Sequence, residues 1–177
     1  MALDLNFASD NVAGASGPVL DAIVRAGSGS APAYGADDLT RSVEARLAEV
    51  FEREVAMFPV ATGTAANALA VAASVSPWGA CLCHEEAHIA EDECGAPEFY
   101  AGGAKLLGLP GIGGKITPAV LSAKLDGLPA NVKQMPAQAL SLSQATEAGL
   151  VYRTDEIAAL SEICRARGLR LHMDGAR

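Results

Sequence analysis

Three places along the chain hold residue types that can do chemistry. Thr62-Gly63-Thr64-Ala65-Ala66-Asn67 follows a short apolar run and opens a helical pattern. Free N–H groups at a helix start, two hydroxyls and the helix dipole together form a cradle for a phosphate. The same residues also read as an ordinary helix cap. At the far end, Asp174-Gly175-Ala176-Arg177 follows the apolar run Leu169 to Met173. An acid and an arginine just past a strand fit a ligand site, but taken in isolation the pattern favours a structural ion pair. Third, Cys81, Cys83, His84, His88 and Cys94 crowd metal-ligand types into residues 81–94. Cys81-Leu82-Cys83 lacks the Cys-x2-Cys knuckle of structural zinc, so buried thiols in a sheet are the preferred reading and no metal is expected.

The elements that must position these residues follow from periodicity. Ser16-Gly17-Pro18 opens a short helix that the glycines at 27 and 29 close. Leu39, Val43, Leu47, Val50 and Phe51 recur at helical spacing, with Asp37 and Asp38 at the favourable end of the dipole. Short apolar runs then alternate with helical stretches. Strands are expected at 55–59, 80–83, 105–109, 139–143 and 169–173, and helices at about 64–74, 117–125 and 154–167. Thr117 before Pro118 starts one of these helices, and Gly168 stops another. Such alternation predicts an α/β fold, a mostly parallel sheet covered on both faces. Ligands bind at the carboxyl edge of such sheets, which puts the Thr-Gly-Thr loop and Asp174 on the same side.

Other nucleotide signals fail. In Gly108 to Thr117 the lysine is followed by Ile116 instead of Ser or Thr, and Leu109 stands where a Walker loop needs glycine. Gly111-Ile112-Gly113 lacks the third glycine of a dinucleotide fingerprint, so a surface turn is expected there. The 177 residues are half hydrophobic and 19% charged, the profile of a globular domain with a core. Lys plus Arg number 13 against 21 Asp plus Glu, a balance that disfavours nucleic-acid and anionic-membrane partners. With no basic, apolar leader at Met1 to Phe7, a cytoplasmic protein with reduced thiols is expected.

Taken in order, Phe7-Ala8-Ser9-Asp10-Asn11, Tyr34-Gly35-Ala36-Asp37-Asp38, the Thr62-Gly63-Thr64 loop, Glu86-Ala87-His88-Ile89 and His172 to Arg177 resemble the threonine aldolase and β-eliminating lyase family. The resemblance implies the large domain of a fold type I pyridoxal 5'-phosphate enzyme, a three-layer sandwich. Residues 1–30 would form its N-terminal segment, and 31–177 part of the cofactor-binding domain. It implies that Asp174 pairs with the pyridinium nitrogen, that Thr62, Gly63 and Thr64 hold the phosphate, and that His88 stacks on the ring or acts as base. Ser9 and Arg177 would contact the substrate carboxylate or a cofactor oxygen; Glu93 lies in a family motif without an assigned role. The implied reaction cleaves a β-hydroxy-α-amino acid, threonine or allo-threonine, to glycine and an aldehyde. Ser143-Gln144-Ala145-Thr146-Glu147 carries no histidine where many threonine aldolases do, which keeps a phenylserine aldolase or β-eliminating lyase open.

The family's cofactor lysine lies beyond the Asp-Gly-Ala-Arg motif, whereas Lys105, Lys115, Lys124 and Lys133 all precede it. The expectation is therefore an incomplete large domain, lacking late strands and the small domain, and inactive by itself. A pseudogene remnant or a fragment that needs a partner chain is the non-enzyme alternative. The full-length parent is expected to be a homodimer or homotetramer.

Overall fold

The computed structural model describes residues 12–129 and 131–176. The chain forms two compact units, Met1–Phe58 and Pro59–Arg177.

In the first unit, α1 (Gly17–Ala26) has its proline in the first turn, where a missing N–H costs nothing. Helix α2 (Asp38–Phe51) is capped by Asp37, whose Oδ1 accepts the Thr40 N–H at 2.8 Å. Hydrogen bonds from the Thr40 backbone and hydroxyl hold the Asp37 carboxyl below its ordinary value. Neither helix has a buried residue. The strand expected at 55–59 is not formed: residues 54–60 carry no regular structure. Val55 and Phe58 have strand-forming side chains, but a strand exists only through a ladder of bonds to a neighbour. Among the described residues no strand pairs with this run.

The second unit runs α3 (Gly63–Ser74), β1 (Ala80–His84), α4 (His88–Glu91), α5 (Ala96–Tyr100), β2 (Lys105–Leu109), α6 (Pro118–Gly127), β3 (Ala137–Ser143), α7 (Thr154–Arg167) and β4 (Arg170–Asp174). The four strands lie in the order β2-β1-β3-β4, and every pair is parallel. Central β1 is buried along its whole length, which is why Ala-Cys-Leu-Cys reads as an unbroken apolar run. Its alternate residues face different layers. Leu82 packs with Leu109, Leu121, Leu140, Leu142, Leu160 and Cys164 on the α6 and α7 side. Cys81 packs with Val71, Val75 and Ala139 on the opposite side, where α3 and α5 lie. Helices on both faces of a parallel sheet make the expected three-layer α/β fold.

Local chemistry explains the ends of the helices. Thr62 Oγ1 caps α3 by accepting the Ala65 N–H, and Thr117 Oγ1 caps α6 by accepting the Val120 N–H. Glu156 reaches back to the Arg153 N–H at 2.7 Å to start α7, which ends on Gly168 at φ 70°. The glycine-rich stretch at 111–116 is the expected turn, closed by an isolated bridge between Ile112 and Lys115.

Candidate active site at the carboxyl edge of the sheet

The strand order dictates where a ligand can sit. From β1 the chain leads through α4 and α5, whereas from β3 it leads through α7 on the other face. The carboxyl ends of these neighbouring strands are therefore the topological switch point, the place where open α/β sheets bind their ligands. His84 ends β1, Gln144 follows β3, and Asp174 ends β4.

A chain of hydrogen bonds links three elements at this edge. Asn67, in the second turn of α3, donates through Nδ2 to Glu93 Oε1 at 2.6 Å and to Asp174 Oδ2 at 2.9 Å. The same Glu93 oxygen lies 2.9 Å from His88 Nδ1, at the start of α4. Asp174 Oδ1 accepts the Ala176 N–H at 3.2 Å. The Glu93 side chain is fully buried, whereas that of His88 is one-third open, at 34%. The hydrogen bond to Glu93 raises the His88 pKa; burial opposes this, and the charges of Glu93, Glu147 and Asp92 reinforce it.

Next along β4, His172 faces the same side of the sheet as Asp174 and pairs in register with Ser141, whose Oγ is 2.9 Å from Nδ1. Burial lowers the His172 pKa, against the charges of Asp174 and Glu93. The two imidazoles are thus biased oppositely.

The segment after β3 is held by hydrogen bonds. Gln144 donates its backbone N–H to the Asp174 carbonyl at 2.8 Å. Its amide makes a two-way pair with the Tyr152 backbone, at 2.9 and 3.1 Å. Thr146 is buried, its hydroxyl donating to the Gly113 carbonyl and accepting the Leu150 N–H.

The sequence-predicted site residues divide accordingly. His88 and Asp174 come together through Asn67 and Glu93. Thr62 and Gly63 are exposed at the start of α3, with Thr64 half-buried. The N–H groups of Gly63 and Thr64 have no acceptor within the helix, as at any helix start. Ser9 and Arg177, and the Phe7 to Asn11 motif, lie outside the described residues. Asn67, which joins Asp174 to Glu93, stood inside the Thr62 to Asn67 motif but was not singled out by residue type alone. The available signal was an amide in an otherwise small and apolar helix that faces the sheet.

The thiols of the 81–94 cluster do not converge. Cys81 and Cys83 are buried in β1, their pKa values pushed up to about 12, by burial first in each case. Cys94 is exposed, and among the described residues no group of three or more His, Cys, Asp or Glu side chains is placed to hold a metal. Among those residues, too, no helix is long and apolar enough to cross a membrane.

The all-parallel α/β architecture matches that of fold type I pyridoxal-phosphate enzymes. The chain belongs to the β-eliminating lyase family, whose pattern it matches over residues 6–177, and the family is pyridoxal-phosphate-dependent. It is 41% identical to a low specificity L-threonine aldolase of Pseudomonas aeruginosa and 40% identical to one of Pseudomonas sp., in each case over 97% of this chain and 49% of the relative. Its structure matches a threonine aldolase of Leishmania major with a TM-score of 0.87 at 28% identity, covering 94% of this chain and 48% of that one. The chain thus spans about half the length of these relatives.

Proposed function

We propose that this chain supplies the cofactor-binding half of a threonine aldolase, a lyase that cleaves threonine or allo-threonine to glycine and an aldehyde. The observation that carries this reading is the Asn67-bridged contact between Asp174 and the Glu93–His88 pair, formed at the sheet edge where the fold receives ligands.

The residues present fit pyridoxal 5'-phosphate. The start of α3 offers the free N–H groups of Gly63 and Thr64, with Thr62 fixing the turn through its cap, for a phosphate. Asp174, braced by Asn67, presents a carboxylate for a pyridinium nitrogen. Bound there, the cofactor supplies an electron sink for charge at the substrate α-carbon. The other tasks belong to side chains. His88 Nδ1 lies 2.9 Å from Glu93; the tautomer with its hydrogen on that nitrogen leaves the Nε2 lone pair available to take the proton of a β-hydroxyl group. Once protonated, the ring is stabilised by the same carboxylate, and this is the physical meaning of its raised pKa. Its open face suits stacking on a flat ring as well, so both roles fall to one side chain. Ser9 and Arg177 remain assigned to the substrate carboxylate or a cofactor oxygen.

The hydroxyl of Thr146, in the segment where many threonine aldolases place a histidine, is engaged within its own loop. That favours His88 as the group meeting the substrate hydroxyl. The test is aldehyde release from L-threonine and L-allo-threonine, in the presence of pyridoxal 5'-phosphate, by the chain joined to the remaining half of a full-length Pseudomonas relative. Asp174→Ala should reduce the rate by roughly 10²–10³-fold, the scale of losing one stabiliser of developing charge. Absence of aldehyde from every β-hydroxy amino acid offered would overturn the aldolase reading.

A further inference from the structure

The amide of Asn67 sits between two carboxylates, Glu93 and Asp174. Only the nitrogen end of an amide can satisfy two carboxylate acceptors, so both of its N–H bonds are committed and its orientation is fixed. Asn67 itself is buried at 5% exposure, in a helix whose other buried residues are Ala68 and Val71. Packing alone would favour an apolar side chain there, because a buried amide must be hydrogen-bonded merely to break even. Glu93 is the anchor. One of its oxygens receives Asn67 and lies against His88, while Oε2 is buried without a partner.

We propose that Asn67 is a positioning residue for Asp174, with Glu93 as the anchor that aims its amide, so that the Asp174 carboxylate is held ready for the pyridinium nitrogen. The inference rests on the assignment of Asp174 to the cofactor. Glu93 serves here through the acceptor strength of one oxygen; its negative charge serves His88. The two functions of Glu93 are therefore separable by substitution. Glutamine keeps an acceptor for Asn67 and removes the charge, whereas alanine removes both.

The experiment is a titration with pyridoxal 5'-phosphate of the chain joined to the remaining half of a full-length Pseudomonas relative, followed by the absorption band of the bound cofactor, alongside thermal unfolding of each variant. Asn67→Ala and Glu93→Ala should each weaken binding roughly tenfold or more, the scale of losing one hydrogen bond to a charged group. Glu93→Gln should rescue binding to within about twofold, while lowering the His88 pKa read from its imidazole NMR resonance. A side chain that mattered only for folding would not be rescued in this selective way. Should Asn67→Ala fail to fold, Asn67→Ser, with a single donor, takes its place, and it should fall between the two. Binding unchanged in the folded Asn67 variant, with binding lost in Asp174→Ala, would overturn the positioning role and leave the cofactor assignment standing. Binding unchanged in Asp174→Ala, or no binding by the unsubstituted fusion, would overturn the assignment on which the inference rests.

Discussion

Helices α1 and α6 make an instructive pair. Each has ten residues and a proline in its first turn, yet α1 buries none of its side chains, whereas α6 buries Leu121 completely. The sequences would suggest the reverse, since α1 gathers Val19, Leu20, Ile23 and Val24 while α6 mixes Ser, Lys and Asp among its apolar residues. In the structure those four α1 residues are 50–71% exposed. The contrast extends to the two units. Among the described residues the first contributes two helices without buried residues, and the second closes two layers of core on a sheet. An apolar stripe shows that a helix can pack; only a surface opposite it turns that capacity into stability.

The sharpest way to break this comparison is to truncate one side chain in each unit. Leu140→Ala, at a fully buried position of β3, should cost about 2–5 kcal/mol in urea unfolding, whereas Ile23→Ala in α1 should stay within about 0.5 kcal/mol. Comparable costs would mean that α1 is packed after all.

Next in size is a glycine contrast within the second unit. Gly114 has φ +80°, and an added Cβ would lie 2.7 Å from Thr146 Cβ, so Gly114→Ala should destabilise by about 1–3 kcal/mol. Gly63, by contrast, has nothing within 4 Å of an added Cβ, and Gly63→Ala should leave the thermal midpoint unlowered. Thr62→Ala removes the side-chain acceptor of the Ala65 N–H and should cost about 1 kcal/mol, measured by the same melt.

The smallest effect expected is a pH dependence that separates the two histidines. His88 has a raised folded pKa, so its contribution is complete below the unfolded value near 6.5 and is lost as pH rises through the folded value. His172 has a lowered one, so its contribution is complete above 6.5 and is lost as pH falls through the folded value. Unfolding midpoints of Glu93→Gln and the unsubstituted chain should therefore differ most on the acid side and converge as pH rises past the folded His88 value. A constant gap across pH would show that Glu93 does not act through the His88 charge.

How far this structure was legible depended on the range of the interaction involved. Thr117-Pro118 and Gly168 announced their helix ends, because caps involve residues three or four apart. The apolar run of β1 announced a strand covered on both faces. Val55 to Pro59 carried the same local signature and formed no strand, since its ladder would have to come from elsewhere. The motifs that contain His88 and Asp174 were legible in order along the chain. The residue joining them was not, because Asn67 meets Glu93 across 26 positions and Asp174 across 107.

By itself, the sequence determined the family, the alternation of strands and helices, and the local caps, all of which depend on residue type at short spacing. The tertiary structure alone decided which apolar faces are buried and how His88, Glu93, Asn67 and Asp174 connect. Those outcomes depend on strand order and on contacts between elements far apart in the chain, and no local pattern encodes them.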